Sequence, residues 1–568
     1  MDIKTIIVKE YLESLTESEE LDYIFPLFLE SQGYIIMSKP TESKGLSQYG
    51  KDVVAIGIDF EDGIKKRFYF EIKGGGDRNI SNSTYIKPDG IRESLIEAKD
   101  KKFTLKKEYE KLPLKIVLVH NGEVKADVRD IMEDFVQKEF PDDGEIEFGR
   151  WGISELTKFF SEKFFNEFLL AYKKVTKLFN KTILNLDVDD RVSRDFETML
   201  DILFVKIRRE DYRKTLPRKW KMFFESLRLI SFIIYTEAKE YNNLDIAKRY
   251  LTRLVIYLWY WILKCKLEYD DKIQQYFSKI FDFYLYVMEE YFQRTLPIAL
   301  KKDGLFYDKG GRYEQVGFTM RTFEYLQYLC WFMNLNNVKD KDKVIAGILN
   351  NNNVSARPLL DIHSIPIISV LNLFIECDNR DAAKAYLSDV LFYLRLAKEK
   401  YNRLPDANNS EKNVIRLIVT GEKSIYYSDS TSLLLTALLE FIVILEMKEE
   451  YEIMLEFIKK HKIDLGLFIP HHSINSTSKH LIEDNENDLE EQLFSKYFFC
   501  DGYQSQTILS KDFIKDISFE EFKTNIQTKK EEFIYEYRTD SSYSPFLRDL
   551  AHIYFRTPYF PDTWRDLL

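Results

Sequence analysis

Apolar and polar positions follow two rhythms along this chain. Up to about residue 175, short hydrophobic runs such as VVAIGIDF, RFYFEIK and KIVLV lie between glycine-bearing turns. Runs of that length bounded by turn residues predict strands, here interleaved with helices. Beyond about residue 185 the pattern changes. FESLRLISFIIYTEAKEY, AKRYLTRLVIYLWYWILKC, KIFDFYLYVMEEYF, FEYLQYLCWFM and STSLLLTALLEFIVIL repeat apolar residues every third or fourth position. That spacing predicts amphipathic helices, and strand-like alternation is nearly absent. The expected architecture is an α/β domain over 1–175, with a mixed sheet flanked by helices, then an all-helical region over 185–568. Breaks in the helical pattern fall near 304–311, 350–358, 402–410 and 471–487, the last a polar loop with His471, His472 and His480. No repeat of fixed period or signature stands out in the helical region.

Within the first domain the pattern is more specific. A helix is expected from Glu19 to Gln32, then a short strand IIMS. A strand from Lys51 to Phe60 leads into a turn at Glu61–Ile64, whose Asp62-Gly63 pair is a hairpin signal. The returning strand runs from Lys65 through Glu71-Ile72-Lys73, and another strand covers Lys115 to Val119. With a two-residue loop at Asp62-Gly63, Asp52 faces Lys73 and Val54 faces Glu71. Side chains alternate faces along a strand, so Asp52, Glu71 and Lys73 share one face at one end of the hairpin. Asp59 then faces Lys66 on the other face, near the turn.

Composition narrows the picture. Only 21 glycines and 14 prolines occur in 568 residues, too few for a turn-rich sandwich, barrel or β-solenoid. Hydrophobic residues make up 45 %, enough for several cores, so a largely disordered chain is excluded. The formal net charge of -11 argues against coating nucleic acid through overall charge, though not against local basic patches. Four cysteines without a CxxC pair argue against a zinc knuckle and suit a reducing, cytoplasmic setting. The first residues, MDIKTIIVKEYLESLTESEE, turn acidic early, unlike a signal peptide. The longest apolar stretches are too short or carry Glu440, so they predict buried helices and no membrane partner.

Two carboxylates converging with a lysine suit phosphodiester hydrolysis. Hard oxygen ligands hold Mg²⁺, for which Mn²⁺ can substitute. The metal acidifies a bound water and neutralises charge on the phosphate. The lysine orients the water or stabilises the charged transition state. On that chemistry Asp52, Glu71 and Lys73 are the candidate catalytic residues. Asp52, Glu71 and the backbone carbonyl of Ile72 are the candidate metal ligands.

At these positions the chain resembles the PD-(D/E)xK nuclease superfamily, in its Mrr-like, bacterial restriction and phage-defence form. The match is Asp52, a gap, then Glu71-Ile72-Lys73 ending the strand FYFEIKGGG. That group has an acid on its first helix about eleven residues before a Gly-Tyr pair. Asp22 stands there before Gly33-Tyr34, with Glu19 and Glu20 as alternatives. IEFGRWGISELTKFF is similar to the group's closing strand and helix. The chain departs from the pattern at Pro26, inside the expected first helix, and at Gly75, where some members carry a glutamine. The resemblance implies a restriction-endonuclease-like fold over about residues 10 to 175. It also implies a metal-dependent endonuclease, DNA favoured, with Asp22 as a further metal ligand and a role in anti-phage defence. The helical region would then regulate it, by forming a homo-oligomer, sensing a trigger or docking a defence-system partner. The alternatives are an inactive nuclease fold that binds nucleic acid or protein, and an RNA-directed nuclease.

Basic residues supply candidate nucleic-acid contacts. Lys99, Lys102 and Lys106 follow the core, where they form either a phosphate rail or a solvated helix face. Arg208, Arg209, Arg213, Lys214, Arg218 and Lys219 lie in the most basic segment, beside Tyr212 and Trp220. That segment suits nucleic acid or an acidic face of a neighbouring subunit. No Walker A or GxSxG motif appears.

Overall fold

A computed structural model of the chain describes residues 2–39, 51–104, 106–142, 144–166, 169–188, 191–209, 212, 218–465, 517–529, 546–556, 562–565 and 567–568. Arg213, Lys214 and the stretch 471–487 lie outside them. The chain forms two compact units, one of residues 1–254 with 275–284 and one of 255–274 with 285–568. The change of rhythm near residue 175 therefore marks a change of secondary structure inside the first unit. Helices α8 (Lys173–Leu184), α9 (Arg194–Val205) and α10 (Arg218–Glu240) belong with the α/β part.

The first unit is built on a five-stranded mixed sheet in chain order: β1 (Ile35–Ser38), β2 (Val53–Ile58), β3 (Lys65–Lys73), β4 (Leu114–His120) and β5 (Ile146–Trp151). The first three strands pair antiparallel, and β3–β4 and β4–β5 pair parallel. Every residue of β4 is buried, as expected for a central strand covered on both faces. On one face Val54, Tyr69, Ile116 and Leu118 pack with Ile91 and Leu95 of α4 (Ile91–Asp100) and with Met132 and Phe135 of α6 (Arg129–Glu139). The short α3 (Asn82–Tyr85) precedes α4, and the short α5 (Lys107–Glu110) follows it. On the other face Phe68, Phe70 and Trp151 meet Phe25 and Phe28 of α2 (Asp22–Ser31) and Phe160 of α7 (Ile153–Lys163) in a chain of ring contacts. Helix α1 (Ile3–Ser14) lies against α7 and α10.

The hairpin corrects one expectation. The β2–β3 ladder closes at Ile58↔Lys65 and runs back through Val53↔Phe70. The loop spans Asp59 to Ile64, closed by Asp59 N–H to the Ile64 carbonyl at 2.9 Å, with Gly63 at φ 74°. The two-residue loop is therefore wrong, and each pairing moves by two positions. Asp52 lies just before the last pair, Val53↔Phe70, and does not face Lys73. A shift of two preserves the face, so Asp52, Glu71 and Lys73 stay together.

The second unit is helical. The helix Glu314–Leu335 packs on Ser364–Glu376, which packs on Arg380–Tyr401. Glu440, inside the apolar helix Leu433–Ile444, is fully buried and bound by Arg565 at 2.5 Å and by the Trp564 indole at 2.8 Å. Among the described residues no helix is long and apolar enough to cross a membrane.

Candidate functional site

Asp52, Glu71 and Lys73 meet where β2 ends and β3 runs on beyond it. Asp52 donates its N–H to the Phe70 carbonyl at 2.9 Å, and its Oδ2 accepts the Ile72 N–H at 2.7 Å. Among the described residues its Oδ1 accepts no hydrogen bond. A strand residue directs its N–H and C=O to the same neighbour. The Ile72 carbonyl therefore points past the end of β2, toward the side where Asp52 lies. Lys73 Nζ lies 2.7 Å from Glu71 Oε1, and Glu71 is only 3 % exposed.

A third acid joins them, and it is none of the upstream acids expected. Residues Glu17–Leu21 form a π-type turn between α1 and α2, with Glu19 in left-handed backbone at φ 71°. The turn brings Glu17 Oε1 to 3.7 Å from Lys73 Nζ. Asp22 instead opens α2. Glu20 accepts the Thr16 N–H at 2.6 Å and pairs with Arg218 at 2.5 Å. Pro26 is the fifth residue of α2 and so offers no N–H to the Asp22 carbonyl one turn earlier.

The glycines after Lys73 permit this approach. A Cβ on Gly74 would lie 2.6 Å from the Glu17 backbone nitrogen, and Gly75 holds φ 63° against Thr16. The Arg78 guanidinium donates to the Glu13 carbonyl at 2.5 Å, and the buried Asn121 amide donates to the Leu12 and Leu15 carbonyls at 2.7 and 2.9 Å. These bonds clamp the end of α1 against the ends of β3 and β4.

The electrostatics are unresolved in favour of the acids. Burial, then the neighbouring Glu71 carboxylate, push Asp52 well above the usual carboxylate range, against the pull of Lys73 and the Ile72 N–H. Burial also lifts Glu17, with Lys73 opposing and Glu71 adding to the rise. Burial works against the charge on Lys73, yet Glu71, Glu17 and Asp52 hold its pKa above the ordinary lysine value. Asp52, Glu71 and Glu17 all act on Lys73, and Glu71 also acts on Lys51, whose charge burial disfavours. A divalent cation on Asp52 and Glu71 would add the positive charge that Asp52 is short of.

His120 lies beside Lys73 in the β3–β4 ladder. Burial pushes its pKa down to about 4, and its Nδ1 is 3.3 Å from the Arg78 carbonyl, so it is a neutral packing residue.

A second acidic group, Asp59, Asp62 and Glu147, could also hold a metal ion by spacing alone; Asp59 is buried and the other two are exposed. Lysines already fill its centre. Lys66 lies 2.9 Å from Asp59 and 2.5 Å from Asp62 and also binds Glu147; Lys115 lies 2.8 Å from Asp59 and 2.5 Å from Glu61. Burial opposes the Asp59 charge, but hydrogen bonds from Lys115 and Lys66 hold its pKa below the usual range. A cation there would have to displace two ammonium groups.

The basic candidates are scattered. Lys99 binds the Glu139 carboxylate at 3.0 Å and is drawn away from any phosphate rail. Lys102 and Lys106 are exposed, next to Phe103, whose N–H donates to the Tyr69 hydroxyl at 3.1 Å. Arg208, Arg209 and Lys219 are exposed, whereas Arg218 is spent on Glu20 and the Ser14 carbonyl. Compared with known proteins, the chain matches no family model, no curated protein and no solved structure.

Proposed function

We propose that the first unit is a Mg²⁺-dependent nuclease of the PD-(D/E)xK kind that cuts DNA. The observation that supports this reading is the convergence of Asp52 and Glu71 around Lys73 at the open end of the β2–β3 hairpin, with Asp52 pushed toward its protonated form by burial and by Glu71. Asp52, Glu71 and the Ile72 carbonyl would hold the cation. Mg²⁺ bound there supplies an acidified water and charge neutralisation at the phosphate. Lys73, kept protonated by the carboxylates around it, donates to the attacking water or to the phosphate oxygen that gains charge. Glu17 holds Lys73 on the other side and sets its direction. Burial of Glu71 and Lys73 keeps bulk water from competing for these groups.

The test is digestion of supercoiled plasmid by the full-length protein with Mg²⁺, Mn²⁺ or EDTA, beside Lys73→Ala. Metal-dependent nicking that falls by roughly 10²–10³-fold in Lys73→Ala is expected. Cutting that survives EDTA or the substitution defeats the reading, and so does silence from both proteins. A single-stranded RNA substrate in parallel decides between DNA and RNA.

A further inference from the structure

Three of the four breaks in the helical pattern meet in space. Asp303 and Phe306, residues 353, 354, 357 and 358, and residues 401 and 403–405 together wall a cavity of about 750 Å³ within the second unit. That lies within the range of small-molecule sites, roughly 300–1,000 Å³. The helices Glu314–Leu335, Arg380–Tyr401 and Glu411–Thr420 complete it.

The loops are held in place. Leu360 bridges Asp406, and the Asp406 carboxylate accepts the N–H groups of Ser428 at 2.9 Å and Ser410 at 3.0 Å. The Tyr427 hydroxyl donates to the Leu404 carbonyl. The walls are thus largely preformed, which lowers the ordering cost of binding.

Two guanidiniums, of Arg357 and Arg403, line the wall. Arg357 lies over the Tyr393 ring at 4.4 Å and donates to its hydroxyl at 3.2 Å; Arg403 lies over the Tyr401 ring at 4.9 Å. Among the described residues neither has a carboxylate partner, although Arg218, Arg228, Arg253, Arg321 and Arg565 all do. Guanidiniums fixed on aromatic faces suit phosphate. The rings of Tyr401, 53 % exposed, and Phe306, 43 % exposed, offer flat apolar surface on the same walls.

We propose that this cavity binds a nucleotide, its base stacked on Tyr401 or Phe306 and its phosphates on Arg357 and Arg403. Both halves of the ligand are needed: the arginines select the anion and the rings select the plane. The site stands apart from the nuclease reading and holds or fails without it.

Isothermal titration of the full-length protein with ATP tests it, with adenosine and tripolyphosphate as half-ligands and Arg357→Met/Arg403→Met as the variant. ATP is expected to bind, with each half-ligand and the double variant weaker by roughly tenfold or more. No ATP binding up to about 1 mM overturns the proposal. So does equal binding by the double variant, by adenosine or by tripolyphosphate. If the double variant melts early, Arg357→Met alone, at an exposed side chain, is judged by the same criterion.

Discussion

The two ends of one hairpin hold the same kinds of side chain in opposite states. At the loop end, Asp59, Glu61, Asp62 and Glu147 surround Lys66 and Lys115, and the buried Asp59 is bonded to both lysines. At the open end, Asp52, Glu71 and Glu17 all act on Lys73, and the second ammonium, Lys51 near Glu71, has its charge disfavoured by burial. Burial costs a carboxylate its charge in both places. Lysine hydrogen bonds overcome that cost for Asp59; Asp52 has only the charge of Lys73 and the Ile72 N–H, which do not. Acids that are close together at both ends are therefore a poor guide to chemistry. The informative difference is whether the protein already supplies the compensating charge.

The largest expected effect is at the satisfied end. Lys66→Ala strips Asp59 of one partner in a buried network and should destabilise the fold by about 3–5 kcal/mol in urea unfolding. A loss below about 1 kcal/mol would mean that the network is as soft as an exposed ion pair. Next comes Gly74→Ala, whose added Cβ meets the Glu17 backbone. It should cost about 1–3 kcal/mol and, on the proposed nuclease reading, depress cutting through displaced Glu17. Unchanged stability would show that the turn can move aside.

Asp52→Asn should act in the opposite direction. It removes a crowded negative charge while an amide oxygen can still accept the Ile72 N–H. A gain of about 0.5–2 kcal/mol is expected at pH 7.5, together with loss of any Mg²⁺-induced rise in melting temperature. A destabilised Asn variant that still responds to Mg²⁺ would place the cation elsewhere. Asp59→Asn, by contrast, should destabilise, and this sign reversal is the sharpest form of the comparison.

The same reversal should appear in pH. Asp52 binds its proton more tightly folded than unfolded, so its contribution to stability falls as pH rises from the ordinary carboxylate value to the raised one. Asp59 binds its proton more weakly folded, so its contribution is present above the ordinary value and lost as pH falls through the lowered one. Unfolding curves of the two Asn variants against the parent between about pH 3 and 7 should diverge in these opposite senses. The smallest effect belongs to Arg218→Ala. Its side chain, paired with Glu20, is 43 % exposed, so about 0–1 kcal/mol is expected. A larger loss would show that α10 holds the acidic turn in place.

Periodicity alone distinguished the strand-bearing part from the helical part, because a period near two and a period near 3.6 require different backbones. It also put Asp52, Glu71 and Lys73 on one face of the hairpin. That placement survived an error of two residues in the loop, because face depends only on odd or even position. The three breaks near 304–311, 350–358 and 402–410 were visible as interruptions of helical spacing. Tertiary structure decided the rest. Glu17 reaches Lys73 only because Gly74 and Gly75 let two distant backbones touch, and local spacing does not encode such a meeting. Lys66 and Lys115 neutralise Asp59 through strands whose pairing is set by the whole sheet. The breaks enclose a cavity only once the helices between them have packed. Local rhythm selects elements one segment at a time. Which charges meet depends on contacts between segments, and those are settled by packing the complete chain.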